Sequence, residues 1–380
     1  MGKGASITLC LVVAALITLS LVMLASACAR WDHLANQYSY LMRQAAWLGV
    51  GIIAMVCISL FDYRHFQKLA WPLYIIACFV LMLCFVPGIG DDANGEDRWI
   101  ILPVIGRFQP SEPAKLVVMI ALASWFSKYR AEAKSFMRGF FWPSLILGLP
   151  LGLILMEVDM GTAAGLGAAG LIVFFVSGTR PFFLAISVAI TLFGSYHMVK
   201  QNENRWERVV AFTDLDKHKL DKGRQQWLGV RAFGNGGTTG MGLGNGVVKQ
   251  MSLPEHHTDF IFPIIGEELG LFASLGTVAC FVIIFLIGLG ISLTAMDRFG
   301  SVLAIGITSI LVIPAMMNIG VTTASLPNTG LPLPFVSYGG SSLLFSLAMI
   351  GVLLSILRRS QMVDVAEIPA VKQKVLELRL

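Results

Sequence analysis

Apolar residues run along this chain in long blocks with few interruptions. Stretches without a charged residue cover 6–28, 44–61, 69–90, 160–179, 181–196, 269–296 and 299–357. A helix needs roughly 20 apolar residues to cross a bilayer core. The last stretch is far too long for one crossing, and Leu326-Pro327-Asn328-Thr329-Gly330-Leu331-Pro332 divides it into two. Segments 108–127 and 139–156 carry a little polarity and keep a similar length. The pattern predicts an all-α polytopic membrane protein with about ten transmembrane helices. Core helices of a soluble protein explain one or two such blocks, not ten. Residues 6–28 are too long for the apolar part of a typical signal peptide, and no small-residue cleavage site precedes a soluble domain. They read as the first span.

Two polar excursions interrupt the pattern. One is 91–107, with Asp91, Asp92, Glu96, Asp97 and Arg98. The other is the large loop 200–258. Within it, Asn204 to Phe212 has the apolar spacing of an interfacial helix. Segment 234–246 has glycine at 234, 236, 237, 240, 242, 244 and 246. Backbone amides there can approach an anion closely. It is not a P-loop, because no Lys-Ser/Thr pair follows and opens a helix. It reads as a flexible turn or a mobile rim over a substrate. The division is then a membrane domain over 1–360 and a charged tail over 361–380.

Composition agrees with this class. The chain is 56 % hydrophobic and 13 % charged, where soluble domains carry about a quarter charged residues. Arg64 and Lys68, Lys128, Arg130, Lys134 and Arg138, Arg180, Arg298, and Arg358 with Arg359 all fall on one side of alternating spans. The positive-inside rule makes that side cytoplasmic. Both termini are then cytoplasmic, and 91–107 and 200–258 are extracytoplasmic. Arg30 and Arg43 lie on the minority side. The net charge of +5 reflects topology and anionic lipid rather than nucleic acid. Six cysteines sit in or beside spans without CxxC spacing, so neither a zinc site nor a disulfide frame is indicated.

Candidate chemistry gathers at the outer loop junctions. The large loop ends Leu253-Pro254-Glu255-His256-His257-Thr258-Asp259 and passes straight into Phe260-Ile261-Phe262. A carboxylate at such a mouth is a candidate base, and His257 is its nearest candidate helper. The competing reading of Asp259 is a helix cap. Glu112 and Lys115 share a face of the fourth span, as an ion pair or as a site where Lys115 meets a phosphate. Asp159 lies at the same depth as Asp259 and is a cavity residue or a cap. Ser341 opens the last span within Ser337-Tyr338-Gly339-Gly340-Ser341-Ser342. Arg98 and Arg208, beside Trp99 and Trp206, are candidates to grip pyrophosphate.

These segments together resemble the SEDS family (shape, elongation, division and sporulation). The resemblance covers nearly the whole chain. It is carried by Arg107-Phe108-Gln109-Pro110-Ser111-Glu112 with Lys115, by Leu253-Pro254-Glu255 and His257-Thr258-Asp259-Phe260-Ile261-Phe262, and by Glu267-Glu268-Leu269-Gly270. Asn318-Ile319-Gly320, Gly330-Leu331-Pro332-Leu333-Pro334 and Ser337-Tyr338-Gly339-Gly340-Ser341 complete it. The resemblance implies a peptidoglycan glycosyltransferase in the bacterial inner membrane. It would polymerise lipid II on the outer face, beside a class B penicillin-binding protein and other division or elongation proteins. Asp259 matches the family's essential loop aspartate, and Glu112 and Lys115 match its span-4 pair. The Gly330–Pro334 stretch favours the division branch over the elongation branch; a lipid II flippase is the rival class. Undecaprenyl-pyrophosphate-linked glycan is the other implied ligand, and magnesium or manganese an alternative source of positive charge. Two departures stand out. Val158-Asp159 replaces the usual Pro-Asp, and Arg224-Gln225-Gln226-Trp227 keeps only Gln225 of the family's glutamine motif.

Overall fold

The computed structural model describes residues 3–28, 39–86, 88, 90–91, 98–102, 106–248 and 258–377. Twelve helices dominate: α1 Lys3–Cys28, α2 Ser39–Leu60, α3 Arg64–Met82, α4 Ser111–Lys128, α5 Trp142–Met156, α6 Met160–Ser177, α7 Pro181–Gln201, α8 Glu203–Thr213, α9 Arg224–Gly236, α10 Ile261–Thr294, α11 Arg298–Thr322 and α12 Gly340–Glu377. Among the described residues, nine are long and apolar enough to cross a membrane. The tenth expected span is α4, whose 18 residues include Glu112, Lys115 and Lys128. It is buried from Ser111 to Phe126 on most positions and packs against α3 and α11. Protein rather than lipid surrounds it, so it needs less hydrophobicity than an outer helix.

Two boundaries differ from the expectation, at α3 and in the 91–107 segment. Arg64 and Lys68 stand on α3, because long basic side chains can extend to the interface from a helix end. α10 begins at Ile261, where the chain returns to the apolar phase after Asp259, and Glu267 and Glu268 within it are buried and hydrogen-bonded instead of solvated. The 91–107 segment contains a small antiparallel sheet, β1 Gly90–Asp91, β2 Trp99–Leu102 and β3 Gly106–Phe108, in that order. The run Trp99-Ile100-Ile101-Leu102 is the strand-forming part, with Ile100 turned inward.

α11 is the central helix, packed against α4, α6 and α10, while α2 lies along α12. α7 has no buried residue and leans on α6 and α8. Between α11 and α12 the chain re-enters the bundle without helix. Leu331, Leu333, Phe335 and Val336 are buried there. Irregular backbone inside a membrane protein must find partners in protein. Ser20 Oγ donates to the Val336 carbonyl at 2.7 Å, and Gln44 Oε1 accepts from the Gly339 amide at 3.2 Å.

The opposite end of the bundle is a charged hub. Asp297 caps α11 through the Gly300 amide at 2.7 Å. Its other oxygen accepts from the Tyr63 hydroxyl at 2.9 Å and Arg64 Nε at 3.0 Å. Burial first, and then Asp297, push the Tyr63 hydroxyl well above its ordinary pKa.

Candidate functional site

Thr258, Asp259 and Phe260 form the turn that leads into α10. Asp259 is half-buried, with Phe260 sealed beneath it. Two side chains hold the turn's main chain. Asn318 Nδ2 donates to the Asp259 carbonyl at 2.7 Å and to the Leu331 carbonyl at 2.6 Å. Ser337 Oγ donates to the Thr258 carbonyl at 2.6 Å and accepts from the Leu333 amide at 2.8 Å. The acid-bearing turn is therefore fastened to the re-entrant loop. Gly330, at φ +67°, passes close to the carboxylate: a Cβ there would lie 3.4 Å from Asp259 Oδ2. A side chain at 330 would be strained and would narrow the approach to the acid.

The same loop lines an internal cavity of about 30 Å³ through Leu331, Pro332 and Pro334, room for about two waters. Glu112 and Lys115 line its α4 wall and pair at 2.9 Å, with side chains 5 % and 13 % exposed. Ser342 and Ser346 line it from α12. The expected Ser341 is buried one position away and is not among the lining residues. The cavity wall also includes Thr162 of α6, three residues beyond Asp159. Asp159 caps α6: its Oδ1 accepts from the Thr162 amide at 3.0 Å. Its Oδ2 accepts from Gln109 Nε2 at 3.3 Å, which ties the turn to the start of α4. Arg98 reaches the same turn, donating to the Val158 carbonyl at 2.9 Å. Arg98, Asp159 and Gln109 thus join β2, α6 and α4 at the end of the bundle that also carries Asp259.

Arg208 stands exposed on α8. His257 lies outside the described residues. Gln226 turns inward and donates to the Val321 and Leu326 carbonyls at 2.9 and 2.7 Å, while Gln225 accepts from Asn328 at 2.8 Å. Both glutamines hold α9 on the segment between α11 and the re-entrant loop.

The glycine-rich segment does receive anions, and they belong to the chain. Glu267 accepts from the Val248 amide at 3.1 Å and Asn235 at 3.0 Å. Glu268 Oε2 accepts from Ser26 Oγ at 2.5 Å and the Gly244 amide at 3.1 Å. The segment is thereby clasped to α10 and α1. Sequence reading missed this clasp; it gave Asn318 only motif membership and Ser337 helix packing or a ligand contact. The available signal was a polar residue in the middle of an apolar span, for which a partner must exist. Among the described residues, no three His, Cys, Asp or Glu side chains converge as metal ligands.

Comparison with known proteins gives the family and the fold. The family described as cell cycle protein, covering FtsW, RodA and SpoVE, matches residues 7–362. The chain is 38 % identical over 325 residues to a probable peptidoglycan glycosyltransferase FtsW of Geobacter metallireducens, covering 85 % of this chain and 86 % of the relative. A solved chain from a peptidoglycan synthase complex that coordinates polymerisation and crosslinking superposes with a TM-score of 0.77 at 27 % identity, over 93 % of this chain and 97 % of that one. The rod shape determining protein RodA of Thermus thermophilus superposes at 0.69 and 27 % identity, over 92 % and 95 %.

Proposed function

The chain belongs to the FtsW, RodA and SpoVE family of cell cycle proteins, and from that premise we propose that Asp259 is the base of its glycosyl transfer. The protein is a multi-pass peptidoglycan glycosyltransferase of the FtsW type, acting in cell division at the bacterial inner membrane. The substrate is lipid II, and growth of the strand occurs on the outer face. The Asp259 carboxylate takes the proton of the acceptor sugar's 4-hydroxyl. That oxygen attacks the donor's anomeric carbon from the side opposite the leaving group. The bond from that carbon to the pyrophosphate oxygen breaks, and undecaprenyl pyrophosphate departs with the electron pair. One displacement inverts the centre, so one carboxylate suffices and no glycosyl-enzyme forms.

One observation carries this reading: a half-buried carboxylate is held by its main chain to the loop that walls the Glu112–Lys115 cavity. The departing pyrophosphate needs cations, for which Lys115 in the cavity wall and Arg98 on the Asp159 turn are the candidates, with Arg208 exposed on α8. The described residues supply no metal cage of their own. Magnesium or manganese would take its donors largely from the pyrophosphate, and no step here runs through one. The polyprenyl tail reaches the site sideways between helices, because exposing it to water costs about 0.8 kcal/mol per CH₂. Glu112 and Lys115 lie within the first two turns of α4. A flippase needs its polar groups near the midplane, with access from both faces. The likeness to a synthase-complex chain supports a cross-linking penicillin-binding protein of class B as partner.

The test feeds labelled lipid II to the chain copurified with that partner. Asp259→Ala and Asp259→Asn are expected to lose at least about 10²-fold in polymer formed, the scale of a general base. Full glycan product from both variants would reject the assignment.

A further inference from the structure

Asn318 sits on α11 at 2 % exposure, and the proposed chemistry leaves it unused. A polar amide deep in a span requires partners. Its Nδ2 carries two hydrogens, and both are engaged, one on the Asp259 carbonyl and one on Leu331's. The reversed amide would set an oxygen against two carbonyl oxygens, so the neighbours fix the orientation. Ser337 grips the preceding carbonyl, that of Thr258. Two consecutive carbonyls of the acid-bearing turn are therefore clasped, one from α11 and one from the re-entrant loop. Leu331 itself lines the cavity beside Glu112 and Lys115.

We propose that Asn318 is a positioning residue for Asp259. It locks the main chain of the acid's turn to the cavity loop, so that base and cavity keep one geometry through the transfer. This rests on the reading of Asp259 as the base. Asn318 touches no substrate and acts through the turn. Its loss therefore shows in kcat rather than KM. Displacing a catalytic group by about 1 Å is enough for a loss of about 10²-fold.

The test uses the full chain with its cross-linking partner and labelled lipid II, and compares Asn318→Leu, Asn318→Asp, Ser337→Ala and Asp259→Asn. Asn318→Leu keeps the branching at Cγ and removes both hydrogen bonds. Its kcat should fall about 10²-fold, with KM within about two-fold of the parent. Asn318→Asp is the sharper probe. Protonated, it still donates to one carbonyl; ionised, it repels two. Its activity relative to the parent should rise as pH falls. A residue that only supports the fold would scale the rate equally at every pH. Ser337→Ala should lower kcat by less. Melting temperatures in the same detergent identify any variant that fails to fold. Should Asn318→Leu fail, the pH profile of Asn318→Asp and the kcat of Ser337→Ala decide. Parental kcat in folded Asn318→Leu, a flat Asn318→Asp ratio, or parental kcat in Ser337→Ala overturns the proposal. Activity in Asp259→Asn overturns the base reading itself. An inactive Asp259→Asn beside a fully active Asn318→Leu overturns only the positioning role.

Discussion

Single residues in this fold divide by whether their chemistry shows in the sequence. Asp259 shows, because an acid directly before Phe260-Ile261-Phe262 has no solvated helix face to occupy. Glu112 and Lys115 show for the same reason, and their i,i+3 spacing gives the pairing as well. Asp159 shows only as an ambiguity, and the structure gives it a cap and a bond to Gln109. Asn318 does not show as a clasp, because its partners are main-chain carbonyls 59 and 13 residues away. Sequence patterns expose side-chain types, and a carbonyl acceptor has none. The buried Glu112–Lys115 pair also yields a test of purpose. Lys115→Ala leaves a buried carboxylate without its cation, a loss of about 3–5 kcal/mol in stability. The double variant Glu112→Leu with Lys115→Met should recover most of that loss, since apolar replacement of a buried pair is often neutral or better. Polymerisation should fail in both. Thermal melts and glycan assays on the two proteins make the comparison. An active double variant would show that the pair is architecture alone.

At the scale of elements, helix existence was legible and helix interruption was not. Apolar length gave the spans, since crossing a bilayer leaves few other solutions. α10 hides a break at Gly270, whose φ of 79° and ψ of −170° are closed to other residues. The break releases backbone groups, and the glycine-rich segment takes them up. Met241 N donates to Glu267 O at 2.9 Å, Gly242 N to Glu268 O at 3.0 Å, and Leu271 N to Gly237 O at 3.0 Å. The adjoining Glu267 and Glu268 side chains close the clasp. The segment that read as a flexible turn or a mobile rim is thus a fitted insert, and its glycines allow backbone to meet backbone. A Cβ on Gly270 would fall 2.4 Å from Gly240 N. Glu268→Gln keeps an acceptor for Ser26 and Gly244, whereas Glu268→Ala removes it and leaves the Gly244 amide on its longer bond to Ser26 Oγ at 3.2 Å, at a cost of about 1–3 kcal/mol. Limited proteolysis should therefore cut Glu268→Ala within 237–248 while the Gln variant resists like the parent. Equal resistance in all three would show that the insert holds without its carboxylate clasp.

For the whole molecule, the two ends of the bundle differ in what their charges do. At one end, charges close the structure: Arg64 on Asp297, Arg359 on Asp62 at 3.6 Å, Arg298 on the Val176 carbonyl and Arg358 on the Leu60 carbonyl. The positive-inside rule predicts a cytoplasmic position for such a basic end. At the other end, Arg98, Asp159 and Gln109 brace turns beside a cavity, and half-buried Asp259 is held to the loop that lines it. With strand growth proposed on the outer face, the acid end is predicted to face outward and the basic end the cytoplasm. Leu220, 88 % exposed between α8 and α9, marks the acid end, and exposed Lys134 between α4 and α5 marks the basic one. In a chain with its native cysteines replaced by serine, Leu220→Cys should react with a membrane-impermeant maleimide on spheroplasts. Lys134→Cys should react only after the membrane is opened. The reverse pattern would turn Asp259 toward the cytoplasm, where strand growth on the outer face is impossible, and the base assignment would fall with the topology.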